Sequence, residues 1–237
     1  MQKRFLPIVS AFISIIISAW ISLTPLAGVT QKDISDKYYS LITPAPFTFS
    51  IWSLIYLAWI GVSFLIATKK IKISKRENLF FSLSMFLTSL WLFPWHLDEI
   101  AISLGVILLI IASFIYLFSL SRKSEKIFRY TIDLSLGWIF IATIANTTVF
   151  LVSKGVNIGL TWVFMALGVL ALVNGIIVKK YKNFIPSFVF LWASLGIYIE
   201  QENMILKKTI ISLAFIFILF LVKEFFIKDE KKKNKLS

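Results

Sequence analysis

The 237-residue chain is 58% hydrophobic and 16% charged, with a formal net charge of +13 and a mean hydropathy of +0.86. A soluble domain of this length cannot bury so much apolar surface, and apolar runs recur from end to end. The chain therefore reads as an integral membrane protein with no room for a sizeable soluble domain. Cysteine is absent, which excludes disulfides, thiolate metal sites and thiol nucleophiles; the basic excess fits loops held near anionic lipid rather than nucleic acid.

Lys3 and Arg4 precede an apolar run over 5–29. It is too long for a signal-peptide core and lacks a small-x-small cleavage site, so it is expected to be an uncleaved first span. The longest polar connection, 30–47, has nearly cancelling charges at Lys32, Asp33, Asp36 and Lys37. A second span is expected over 48–68, then a basic loop over 69–76, and a third span over 78–95. A tight corner, His96-Leu97-Asp98-Glu99, leads to the fourth span, 100–120. A second basic loop with Arg122, Lys123, Lys126 and Arg129 precedes the fifth, 130–152. The sixth span, 159–178, ends at Lys179, Lys180 and Lys182. The seventh, 184–199, is short and carries Pro186. The eighth covers 206–227, and a charged tail, 228–237, is expected to be disordered.

Eight spans place 20 of the 25 Lys and Arg residues on the side shared by both termini, leaving Lys32, Lys37, Lys154, Lys207 and Lys208 on the other. The positive-inside rule then puts both termini in the cytoplasm of a multi-pass cell-membrane protein.

One stretch concentrates stiff and aromatic material: Thr43-Pro-Ala-Pro-Phe-Thr-Phe-Ser-Ile-Trp-Ser-Leu-Ile-Tyr56. Pro44 and Pro46 fix the entry into a helix. Phe47 and Phe49 follow, and Trp52, Tyr56 and Trp59 share one helical face. In the third span Trp91 and Trp95 are again four apart; an interfacial aromatic belt suits Trp95, but Trp91 lies one turn deeper. In the fifth, Trp138, Ala142 and Asn146 fall within a sector of about 80°. An amide at Asn146 inside the hydrocarbon layer must bond a neighbouring helix, a water or a ligand. The charge-derived orientation puts Trp52, Trp91 and Asn146 in the outer half of the bilayer, under the 38–47 loop. If their helices are neighbours, they enclose an aromatic cavity for a flat, hydrophobic ligand with a polar edge, with that loop as its lid.

Elsewhere the polar residues have bland readings beside functional ones. His96, Asp98 and Glu99 could relay protons, bind a metal or hold a ligand's polar group, or form a solvated interfacial corner; no second His or Cys completes a metal set. Asp133 is expected to snorkel or pair with Arg129 or Lys126, and Asn174 to serve helix packing. No mid-helix lysine suits a Schiff base, and no Gly-rich phosphate loop, G-x-S-x-G, H-E-x-x-H or arginine repeat occurs.

Together these residues resemble the TspO/MBR family, the translocator proteins or tryptophan-rich sensory proteins. Pro44 and Pro46 followed by Trp52 and Tyr56 match its proline-rich first loop and Trp-x-x-x-Tyr. Trp138, Ala142 and Asn146 match its Trp-x-x-x-Ala-x-x-x-Asn in full. In its Asn-x-x-Trp-x-x-x-Phe, Trp91 fits, while Thr88 stands for the Asn and Trp95 for the Phe. The helix-2 and helix-5 stretches look closer still to the long bacterial branch with extra C-terminal helices. The resemblance implies an all-α, polytopic transmembrane bundle with a five-helix core over 1–153; this chain departs from it by three additional helices, over 154–227, and a cytoplasmic tail over 228–237. It also implies a cavity lined by Pro44, Phe47, Phe49, Trp52, Tyr56, Trp91, Trp95, Trp138, Ala142 and Asn146. The implied ligand is small and hydrophobic, a porphyrin or haem-like molecule by family, bound for sensing or transport. The expected partners are the lipid bilayer and that ligand, with no nucleic acid, no catalytic residue and no metal; a homodimer is one assembly left open. A secondary transporter using all eight helices, and a membrane enzyme with His96, Asp98 and Glu99 at its mouth, are the alternatives.

Overall fold

The structure, a computed structural model, describes residues 3–24 and 26–233. It is all-helical: α1 (Leu6–Leu23), α2 (Gln31–Lys37), α3 (Ile51–Ala67), α4 (Lys75–His96), α5 (Ile100–Leu120), α6 (Lys126–Ser153), α7 (Leu160–Tyr181), α8 (Ile185–Glu200) and α9 (Met204–Lys233). Among the described residues, seven helices are long and apolar enough to cross a membrane. The eighth expected span, α8, has 16 residues, a rise of about 24 Å against a hydrocarbon core of about 30 Å. The protein is therefore a multi-pass helical membrane protein.

Several boundaries depart from the sequence expectation, each for a local reason. α2 lies inside the connection read as irregular. Its start is a capping box: Asp33 N donates to Thr30 Oγ1 at 3.1 Å, and Thr30 N to Asp33 Oδ2 at 2.8 Å. These donors hold the Asp33 carboxyl below the usual carboxylate range. α4 begins at Lys75, within the supposed basic loop, because Ser74 and Glu77 form a second capping box. α6 starts at Lys126 rather than 130. α9 continues to Lys233, into the tail expected to be disordered, and residues 234–237 of that tail lie outside the described residues.

The chain divides into two compact units, 1–40 with 49–157 and 41–48 with 158–237. In the first, α1, α3, α6, α5 and α4 contact one another in that cyclic order, closing a ring of five helices. Each contact in the ring carries a polar cross-link. Tyr56 Oη donates to Ser18 Oγ at 2.9 Å (α3 to α1), and Trp59 Nε1 to Ser135 Oγ at 2.9 Å (α3 to α6). Asn146 Nδ2 donates to Ser103 Oγ at 2.7 Å (α6 to α5), the hydroxyls of Ser84 and Ser113 meet at 2.8 Å (α4 to α5), and Ser14 Oγ donates to Met85 O at 2.8 Å (α1 to α4). Lipid tails are as apolar as leucine, so water expulsion does not choose a helix's neighbour; short side chains and interhelical hydrogen bonds do. The Ser-rich faces of α1, α4 and α5 thereby set the ring order.

At one end of this unit Asp133 pairs with Arg122 at 2.5 Å. At the other, Lys37 of α2 pairs with Asp98 at the α4–α5 corner, which keeps the Lys37 ammonium protonated to higher pH than usual.

In the second unit α7, α8 and α9 pack pairwise, and Lys182 pairs with Glu224. Segment 41–48 is fastened to α8. Ala45 N donates to Gly196 O at 3.0 Å, Gln201 Nε2 to Thr43 O at 2.9 Å, and Trp192 Nε1 to Thr48 O at 2.9 Å. Phe47 meets the Trp192 ring edge-on, centroids 5.3 Å apart. The loop read as a lid thus has its anchor in α8, a helix outside the five-helix core.

Candidate ligand cavity

A cavity of about 310 Å³ lies in the first unit between α1, α3 and α4. α3 and the 3-10 turn before it contribute Phe49, Trp52, Ser53 and Tyr56; α4 contributes Thr88, Trp91 and Leu92; α1 contributes Ile15, Ser18, Ala19 and Ser22. The aromatic wall is one connected stack. Trp52 lies nearly parallel to Tyr56, centroids 5.6 Å apart and planes at 23°. Behind it, Trp138 takes Trp52 and Phe49 edge-on at 6.1 and 6.2 Å, both at 89°. Such edge-to-face contacts fix ring orientation as well as burying area.

Of the ten residues expected at the site, Phe49, Trp52, Tyr56 and Trp91 line this cavity. Trp138 supports the wall without lining it. Trp95 lies against Trp91 with its ring tilted, centroids 5.2 Å apart and planes at 35°. Asn146 is buried and bonded to Ser103, and Ala142 is half-buried on the same helix. Pro44 and Phe47 belong to the segment held by α8. Three buried polar atoms here have no partner among the described residues: the indole Nε1 of Trp91, the indole Nε1 of Trp138, and Asn146 Oδ1.

The α1 wall was missed in the sequence, although it has a plain signal. Ser10, Ser14, Ser18 and Ser22 recur every four residues, drawing a hydroxyl stripe down one face of an otherwise apolar helix. Ser14 binds α4, Ser18 binds α3, and Ser22 Oγ donates to Ser18 O at 2.8 Å beside the cavity. The stripe both glues α1 into the ring and supplies the cavity with hydroxyls.

His96 is buried and its Nδ1 lies 2.8 Å from Leu92 O, one turn back in α4. Asp98 has φ of 61° and is engaged by Lys37. Among the described residues, no group of three His, Cys, Asp or Glu could hold a metal.

A family model described as TSPO-like protein matches residues 4–225. The chain belongs to the TSPO-like family. No curated protein and no solved structure matches it. The TSPO-like match runs through α7 and α8 and most of α9, well past the residue-153 limit of the motif resemblance. The family match thus takes in α7, α8 and α9 as far as residue 225.

Proposed function

We propose that the protein binds a small, flat, hydrophobic ligand in the α1–α3–α4 cavity, for sensing or transport. The observation that carries this reading is the cavity itself: a stacked Trp52–Tyr56 wall facing Trp91, with hydroxyls of Ser18, Ser22, Ser53 and Thr88 around it. Its volume lies at the small end of ligand pockets. Trp91 is 5% exposed and its indole N–H lacks an acceptor, so a ligand with a carbonyl or ring nitrogen would satisfy a donor that burial otherwise leaves costly. With α8 counted as the eighth span, the charge distribution puts both termini in the cytoplasm and the cavity in the outer half of the bilayer.

A tetrapyrrole fits this lining only in part. Its ring could stack on Trp52 and Phe49. Its carboxylates would find no Lys or Arg among the lining residues, and a haem iron would find no His, Cys or Met there. An uncharged ligand suits the lining better than a dicarboxylic one.

The test is titration of the full-length protein in detergent with protoporphyrin and with its dimethyl ester, following tryptophan quenching. The ester is expected to bind at least tenfold tighter. Trp52→Ala and Trp91→Phe are each expected to weaken it about tenfold, and Trp138→Phe with Asn146→Ala to weaken it less. Equal affinity of the unsubstituted protein and Trp52→Ala would overturn the assignment of the site.

A further inference from the structure

A second recess, about 430 Å³, lies in the C-terminal unit between α7 and α9. Ala171 and Gly175, one turn apart on α7, keep one wall low; Leu213, Phe217 and Phe220 of α9 form the other. Every lining residue is apolar except Lys179 at one end. From Ala171 to Lys179 the recess follows α7 for about 12 Å, close to the depth of one hydrocarbon leaflet, half of about 30 Å.

The charge at the Lys179 end is lopsided. Lys182 pairs with Glu224, and Lys179 and Lys223 lie within electrostatic range of the same carboxylate. Three ammonium groups around one carboxylate leave a net positive field where the apolar recess ends. An apolar slot of leaflet depth closed by uncompensated lysines has the chemistry of an acyl chain with an anionic head.

We propose that this recess is a binding site for an anionic phospholipid, with one acyl chain along Ala171–Gly175 and the phosphate at Lys179 and Lys223. A second copy of the chain is the rival occupant. In one membrane it would bring its own basic end to the same depth, so Lys179 and Lys223 would meet like charges. That repulsion favours the lipid.

The test uses the full chain in vesicles of brominated phosphatidylglycerol or brominated phosphatidylcholine. Ile176, 54% exposed at the rim, is replaced by Trp as reporter, its fluorescence taken relative to the parent chain. Quenching by phosphatidylglycerol is expected at a mole fraction up to about 25-fold lower than by phosphatidylcholine, about fivefold for each of the two lysines. Lys179→Gln with Lys223→Gln is expected to bring the ratio close to one. Native mass spectrometry of the unsubstituted chain, comparing retention of the two lipids, gives the same reading should the Trp variant fold poorly. Equal quenching and equal retention would overturn the proposal, as would a preference that survives the double substitution. The chain lacks cysteine, so disulfide-linked dimers of Ile176→Cys in place of lipid quenching would assign the recess to a second copy instead.

Discussion

Gly196→Ala tests the attachment of segment 41–48 to α8. A Cβ built at Gly196 would lie 2.0 Å from Thr48 Oγ1 and 3.0 Å from both Thr48 Cβ and Cγ2. Rotating Thr48 moves Oγ1 but leaves Cβ at 3.0 Å, so the segment itself must shift. Helix propensity alone predicts the opposite sign, since Ala in a helix is favoured over Gly by about 1 kcal/mol. Against that stand three hydrogen bonds, from Ala45 N, Gln201 Nε2 and Trp192 Nε1, each contributing about 1 kcal/mol net. Losing them outweighs the propensity gain by about 2 kcal/mol, or roughly thirtyfold in the local opening equilibrium. The assay is hydrogen–deuterium exchange of the peptide covering 41–48 in the full-length protein. Exchange at the Ala45 and Thr48 amides is expected to quicken by one to two decades. Thr48→Gly removes all three close atoms, so the double variant should recover most of the protection that Gly196→Ala loses. Unchanged or slower exchange in Gly196→Ala would refute the reasoning, because the Gly196 contact would then not hold the segment.

Three further outcomes follow from the polar contacts. Ser103→Ala and Asn146→Ala, combined in a double-mutant cycle on thermal unfolding in detergent, should couple by about 0.6 kcal/mol and no more than about 1.7, the range for hydrogen bonds between membrane helices. Asp33 has a folded pKa below its unfolded value, so its contribution to α2 is present above about pH 4 and is lost as pH falls through the folded value. Amide protection in Gln31–Lys37 should decline in acid, and Asp33→Asn should abolish that decline. Lys37 has the opposite sign: its folded pKa is raised, so the tie to Asp98 holds below about pH 10 and is lost as pH rises through the folded value. Protection at the α2 C-terminus should fall in strong alkali in the parent and be insensitive to it in Lys37→Met.

The spans were legible because hydropathy over twenty residues is a coarse, redundant signal; losing one residue changes little. The helix starts at Lys75 and Gln31 were written in short polar codes, Ser74 to Glu77 and Thr30 to Asp33, which a reading by hydropathy passes over. Trp52, Tyr56 and Trp91 were found at the cavity because large aromatics at helical spacing mark a face. The α1 serines were missed because hydroxyls in an apolar helix scarcely alter its hydropathy, although in lipid they decide its neighbours. Asn146 was expected to face either a helix or a ligand. Its amide nitrogen answers to Ser103, a choice fixed by the register of α5 against α6, which no single segment encodes.

The course of segment 41–48 also changes what a truncation can mean. On the sequence, removal of everything after Lys154 should spare binding by a self-sufficient five-helix core and destroy a transporter that needs every helix. In the structure that cut removes Trp192 and Gly196 of α8 and Gln201 at its C-cap, the partners named for Thr48, Ala45 and Thr43. Two carbonyls and one amide of the loop lose their bonds, and Phe47 loses the Trp192 ring. Phe49, which lines the cavity, follows Thr48 by one residue. Weakened binding after truncation would therefore not identify a transporter; it would follow from releasing the strand of chain that leads into the aromatic wall. The separating experiment keeps α1 to α9 and cuts only the attachment, with Gln201→Ala and Trp192→Phe together. About 2 kcal/mol of local anchoring is lost, exposing 41–48 to limited proteolysis. If ligand titration shows affinity reduced to the same extent as in the truncated chain, the C-terminal unit acts on the cavity through this segment. If affinity is intact while proteolysis quickens, the loop and the cavity are independent.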